Sequence, residues 1–308
     1  DVCSSDLSSD MGWPNYILGV VDQLKKAGYE VSGFDLAFGG NIPIGAGMSS
    51  SAALEGGTIF GLSEIFDWDI SRLDMVKKSQ KAENEFVGVN CGIMDQFANI
   101  FSEAGKVFRL DCRSLDYEYY PFVRDDLKII LCDTTVRREL ATSEYNVRRS
   151  QCEEGVEILN KFFDNINSLR DATLDMLHQH RSEFDPVVFR RCSYVIEENN
   201  RVQRACEYLE REDFQSFGKA MYQSHAGLKD KYEVSSPELD TLVDLARDID
   251  GVLGARMMGA GFGGCTINLV EAEHTDTFTS QIKESYEKES GVKIPVYQST
   301  IAPGVSLV

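Results

Sequence analysis

Three short runs in this 308-residue chain carry the residue types that phosphate and proton chemistry need. The first is Asn41-Ile42-Pro43-Ile44-Gly45-Ala46-Gly47-Met48-Ser49-Ser50-Ser51-Ala52-Ala53, leading from a strand-like stretch into a helix. Glycines let the backbone approach an oxyanion closely, successive amides can turn inward, serines add hydroxyls, and a helix N-terminus adds partial positive charge. Gly45, Ala46, Gly47, Met48, Ser49, Ser50 and Ser51 thus read as a phosphate cradle. No Lys follows the last glycine, so the run is not a Walker A loop. A serine-capped helix after a flexible turn fits the same residues equally well.

The second run is Glu83-Asn84-Glu85-Phe86-Val87-Gly88-Val89-Asn90-Cys91-Gly92-Ile93-Met94-Asp95-Gln96. The chain has four histidines, none in a motif, so proton transfer falls to a carboxylate. Asp95, flanked by apolar Ile93 and Met94, is the candidate, and its setting predicts a partly buried side chain. A carboxylate in such a setting more often caps a helix or pairs with Arg. The third run, Gly254 to Thr266, holds five glycines within eleven positions ahead of an apolar strand. Such density means unusual dihedrals or close backbone contact, and a tight structural turn accounts for it as well as a ligand does.

Composition narrows the classes. With 31 basic and 50 acidic residues the formal charge is −19, which repels a nucleic-acid backbone and excludes it as a partner. An anionic nucleotide then needs local help from amides, a helix N-terminus or a divalent cation. Eight cysteines are dispersed without a CxxC pair, which fits reduced thiols in a cytoplasmic protein. No apolar run reaches membrane-spanning length, so no membrane partner is expected.

The positioning elements follow from periodicity. Tyr16, Ile17, Val20, Val21 and Leu24 share a helical face that Gly28 ends. Phe34, Leu36 and Phe38 alternate with Asp35 and Ala37 as a strand does. Leu54, Ile59, Leu62, Ile65 and Phe66 mark the helix after the serine run, and Ser71 with Asp74 opens another. A short helix follows Gly92, then a strand pair around Lys106 to Leu110 and Tyr117 to Phe122, and a buried strand from Lys128 to Leu131. From Glu139 to about Ala226 the period is helical, predicting one helical layer against a sheet. Ser236-Pro237-Glu238 starts a helix closed by Gly251. Strand Gly264 to Val270, helix His274 to Ser290 and strand Ile294 to Thr300 complete an α+β chain. The domain division is placed near Asp125-Asp126, giving 11–125 and 126–308. Residues 1–10 show no period, and Asp1-Val2-Cys3-Ser4-Ser5-Asp6-Leu7 resembles a translated sequencing adapter.

The three runs together resemble the GHMP sugar kinase family in its galactokinase branch. Pro43 with the glycine and serine cluster is similar to the second family motif, and Met258-Gly259-Ala260-Gly261 to the third, where Thr-Gly-Gly-Gly is usual. Cys91-Gly-Ile-Met-Asp-Gln is similar to the segment around the catalytic aspartate. The resemblance implies a two-domain GHMP fold, with a ribosomal protein S5 domain 2-like N-terminal domain, a ferredoxin-like C-terminal domain and substrates meeting between them. It implies a monomer that transfers phosphate from ATP to the anomeric hydroxyl of D-galactose. By the same resemblance Asp95 is catalytic, Ser51 and Glu83 hold Mg2+, and Gly45 to Ser51, Gly259 and Gly261 contact the nucleotide. Trp13 lies near adenine, although composition alone assigns it to core packing, and Gly92, Asp95 and Tyr145 contact the sugar. Other specificities on this fold are an N-acetylgalactosamine kinase and a non-catalytic galactose sensor. The family's N-terminal signature, with an arginine and most sugar contacts, is absent ahead of Trp13. The resemblance therefore implies a chain lacking its N-terminal strands and, as given, without detectable activity.

Overall fold

A computed structural model describes residues 12–43, 45–136 and 141–308. It divides into two compact units: one holds the described residues up to 43, Met48–Tyr119 and Ile301–Val308, and the other holds Gly45–Gly47 and Tyr120–Thr300.

In the first unit, helix α1 (Asn15–Lys26) buries Leu18, Val20, Val21 and Leu24. It stops where Gly28 takes φ 88° and donates its N–H to Lys25 O at 3.0 Å, the left-handed ending that glycine accepts without strain. Helix α2 (Ser50–Ile65) lays Ile59 and Leu62 into the same core. Helix α3 (Arg72–Lys81) starts at Ser71, whose Oγ accepts from the Asp74 N–H at 3.1 Å. It widens at once into a π-helical turn, Ala82–Val87. Helix α4 (Met94–Phe101) then adds Phe97, Ile100 and Phe101 to the core. Strands β1 (Lys106–Leu110) and β2 (Tyr117–Pro121) pair as a hairpin, and Tyr117 packs edge-on against both Phe97 and Phe101. The chain end returns to α4, with Val305 N–H donating to Asn99 O at 2.9 Å and Gly304 N–H to Ser102 O at 2.7 Å.

The strand expected at Phe34 to Phe38 does not form. Residues 29–43 are irregular, and Leu36 and Phe38 are exposed. Alternation offers one apolar face, but a strand also needs a hydrogen-bonding neighbour, and among the described residues no strand pairs with this one. Of Phe34, Leu36 and Phe38, Phe34 alone packs against the core.

The second unit is built on an antiparallel sheet of order β4-β5-β3-β6, comprising β3 (Leu127–Asp133), β4 (Val252–Met257), β5 (Cys265–Glu271) and β6 (Val296–Ser299). Ile130 of the central strand faces Asn268 on one side and Gln298 on the other. Ile130 and Cys132 share a core with Leu242, Val243 and Ala246 of α9 (Pro237–Arg247) and with Phe278, Ile282 and Tyr286 of α10 (Thr275–Ser290). The expected single helical layer is instead split. Helices α5 (Ala141–Leu159), α6 (Leu174–Gln179) and α7 (Pro186–Glu210) close a core of their own around Leu159, Leu177, Val188 and Cys192. Helix α8 (Phe214–Gly227) lies on β4 so closely that a Cβ at Gly218 would sit 2.1 Å from Leu253 O. No helix among the described residues is long and apolar enough to cross a membrane.

Candidate active site

The serine run enters α2 in a way that leaves its first turn uncapped. Gly45 and Gly47 take φ 73° and 78°, and Ser49, at the N-cap, takes φ 56° and ψ 40°. In that left-handed state its side chain makes no cap hydrogen bond, so the serine-capped helix is not what these residues build. The first-turn N–H groups of α2 therefore have no side-chain cap, the condition under which a helix N-terminus receives an anion.

One turn further along α2 lies a buried acid cluster within the first unit. Glu55 is 0% exposed, Gln96 of α4 1%, and Glu83 of the π-helical turn 7%. The Gln96 amide nitrogen donates to Glu83 Oε2 at 2.8 Å and to Glu55 Oε2 at 3.2 Å. Burial pushes Glu55 up to about 9, reinforced by the Glu83 charge and opposed by the Gln96 hydrogen bond. It is therefore a neutral acid at pH 7. Glu83 is also raised, first by burial and then by the Asp95 charge, while hydrogen bonds from Cys91, Ser51 and Gln96 pull the other way. Burial and the Glu83 charge push the Cys91 thiol up to about 12. Tyr16 of α1 is raised by burial and by the charges of Glu83, Glu55 and Cys91. Ser51, one of the two expected metal ligands, thus lies near enough to Glu83, the other, to pull it down. Both offer oxygen, the donor type that hard divalent cations select, and a cation beside Glu83 would reverse the burial and charge repulsion that raise it.

Asp95 sits in the first turn of α4, one residue from Gln96. It is exposed, contrary to the buried setting expected from Ile93 and Met94, because Met94 also points outward and only Ile93 enters the core. Gly92 precedes it in an exposed turn. Trp13 is not a core residue: it is 59% exposed and meets Phe38 edge-on with ring centroids 5.4 Å apart. Tyr145 belongs to α5, and its side chain lies outside the described residues.

In the second unit the glycine-rich run forms the β4–β5 connection. Gly259 takes φ 76° and Gly261 φ 87°. A Cβ at Gly261 would fall 1.9 Å from Val234 O, and the next residue, Phe262, donates its N–H to that same oxygen at 2.8 Å. At the loop's entrance the Met257 N–H donates to His225 Nδ1 at 3.2 Å, which places the imidazole proton on Nε2, 3.3 Å from Asp240 Oδ1. Buried His225 is held below its ordinary value first by burial, so it accepts as a neutral ring.

Sequence reasoning quoted Gln96 and Cys91 inside a motif without giving either a task, and it passed over Glu55. A signal was present: Glu55, Ile59 and Leu62 stand at i, i+4 and i+7, so one helical face that buries two apolar residues must also bury the acid.

Known proteins resemble this chain over most of its length. The GHMP kinases N terminal domain family matches residues 15–103 and the GHMP kinases C terminal family residues 205–288. A galactokinase of Clostridium beijerinckii is 43% identical over 95% of this chain and 75% of its own length. One from Fusobacterium nucleatum is 41% identical over 96% and 77%. The solved structure of Lactococcus lactis galactokinase complexed with galactose superposes with a TM-score of 0.90 at 38% identity, covering 95% of this chain and 76% of that one. On this identity and coverage the chain belongs to the galactokinase family of the GHMP kinases.

Proposed function

We propose that this chain carries the phosphoryl-transfer site of a galactokinase, in which ATP phosphorylates the anomeric hydroxyl of D-galactose to give α-D-galactose 1-phosphate. The observation that carries the reading is the hydrogen bond from Gln96 to buried Glu83 at 2.8 Å, which ties the expected metal ligand to the α4 first turn that carries Asp95. In this reading the amides from Gly45 to Ser50 receive the nucleotide phosphates, Gly259 and Gly261 also serve the nucleotide, and Trp13 serves its base. Ser51 and Glu83 hold Mg2+, which supplies neutralising charge to the phosphate oxygens. Asp95 takes the proton of the anomeric hydroxyl as its oxygen bonds to the γ-phosphorus and the bond to the bridging oxygen breaks, releasing ADP. Gly92 and Tyr145 border the sugar. The same reading makes the enzyme a cytoplasmic monomer.

The test is sugar-phosphate formation across a sugar panel, using the chain alone and fused behind a galactokinase N-terminal segment. Turnover of galactose supports the reading. Preference for N-acetylgalactosamine would change the specificity, and no turnover of any sugar in either form would replace the enzyme with a sensor.

A further inference from the structure

The three helical pieces of the first unit that meet at Glu83 each contribute a buried polar side chain, and two of these, Gln96 and Glu55, have no chemical role in phosphoryl transfer. A primary amide carries two N–H bonds in a fixed plane. Gln96 uses its nitrogen on two different carboxylates, Glu83 at 2.8 Å and Glu55 at 3.2 Å, so the amide plane is set from both sides. The reverse orientation would aim the Gln96 oxygen at the Glu83 carboxylate, which fixes the assignment of nitrogen and oxygen. The arrangement is costly. Gln96 Oε1 and Glu55 Oε1 are both buried without a hydrogen-bond partner, and such groups destabilise a fold. Apolar residues of similar volume would fill the space without that loss.

We propose that Gln96 is a positioning residue for the metal-binding carboxylate: braced from behind by Glu55, its amide holds Glu83 toward Ser51 and so sets the affinity of the site for a divalent cation. The proposal rests on Glu83 and Ser51 being the ligands, as argued above. Ser51 is itself a proposed ligand, and the Cys91 thiol donates to Asn84 Oδ1 at 3.3 Å. Gln96 is thus the donor whose geometry is dictated from outside the ligand pair. Partners that orient a ligand without touching the metal commonly change metal affinity by about 10- to 100-fold.

The experiment measures Mn2+ binding to the chain by the loss of free Mn2+ paramagnetic resonance, in the presence of a non-hydrolysable ATP analogue. Analogue binding in EDTA and the metal-free melting temperature are read in parallel. Gln96→Met removes both N–H groups at near-constant volume and is expected to weaken Mn2+ by about tenfold, with metal-free analogue binding unchanged. Glu55→Gln keeps an acceptor for Gln96 and is expected to bind Mn2+ within about twofold of the parent, whereas Glu55→Met removes the brace and is expected to weaken it by about three- to tenfold. The Glu55 pair carries the test from a second helix if Gln96→Met does not fold. Glu83→Gln is the reference. If it weakens Mn2+ while Gln96→Met and Glu55→Met do not, the positioning role is wrong and the ligand assignment stands. If Glu83→Gln binds as the parent does, the ligand assignment fails and the proposal falls with it. Equal loss of analogue affinity in EDTA would also overturn it, since that is general damage to the site.

Discussion

Replacing Glu55 with Gln should make the first unit more stable at neutral and alkaline pH, and the sign follows from where the proton sits. Burial pushes the folded carboxyl from 4.5 to about 9, so between those values the folded state binds a proton that the unfolded state has released. A raised folded value gives stability that is complete below the unfolded value and is lost as pH rises toward the folded one. Within that window each pH unit removes about 1.4 kcal/mol. Between pH ~5.5 and ~8.5 this one residue costs about 4 kcal/mol, a large share of a domain's stability. Glutamine has nearly the same volume, offers Gln96 an acceptor and does not titrate, so the variant should lack this component of the slope.

The assay can isolate the unit concerned. The chain has two tryptophans, Trp13 and Trp68, and both belong to the first unit. Trp68 packs with Phe66 and Tyr29 beside the core. Urea unfolding in EDTA followed by tryptophan emission therefore reads the unit that holds Glu55. Other groups contribute the same pH dependence to both proteins, and the difference between parent and variant isolates position 55. A difference that stays flat across the window, or a variant that loses stability relative to the parent as pH rises, would refute the buried neutral acid.

Three further outcomes test the site. Asp95→Asn should lower kcat by about 10²- to 10⁴-fold with nucleotide binding retained, and near-normal turnover would remove Asp95 from proton transfer. Glu83→Gln should raise the Mg2+ concentration for half-maximal rate by about tenfold or more, so an unchanged titration would exclude it as a ligand. Gly261→Ala must place a Cβ 1.9 Å from Val234 O at φ 87°, which should destabilise the second unit by at least about 2 kcal/mol. Calorimetry reads that loss, and a parent-like transition would mean that the loop is free to move away from Val234.

How far the sequence leads depends on whether a feature is local. Helix α9 is legible because Ser236 caps it, Pro237 pre-sets its first turn and Leu239, Leu242, Val243 and Ala246 keep the period. The same holds for α3, where Ser71 and Asp74 bond reciprocally. The π-helical turn after it is not legible, because Met75, Val76, Ser79, Ala82 and Glu83 continue one ordinary helical face and nothing in residue type announces a wider turn. Residues 34–38 fail for the complementary reason: alternation is local, but a strand exists only if another lies beside it. Glu83 was reached through a motif, whereas what holds it, Gln96 and Glu55, comes from two helices separated by 41 positions. No window along the chain contains that contact.

The acid cluster is also where stability and chemistry diverge. On α2, Ile59 and Leu62 show what this face holds when packing alone decides, and Glu55 on the same face is buried as completely as they are. A charge of −19 draws cations to the whole surface, yet a diffuse field cannot distinguish a triphosphate-bridging ion from any other. Selection needs few oxygens in fixed positions, and fixing a buried carboxylate requires donors that are themselves fixed. Keeping Glu55 neutral lets a second carboxyl stand behind Gln96 without adding a second full charge against Glu83. Under the proposed assignment the cluster holds one ionisable ligand and one uncharged brace, made from the same residue type and separated by environment alone.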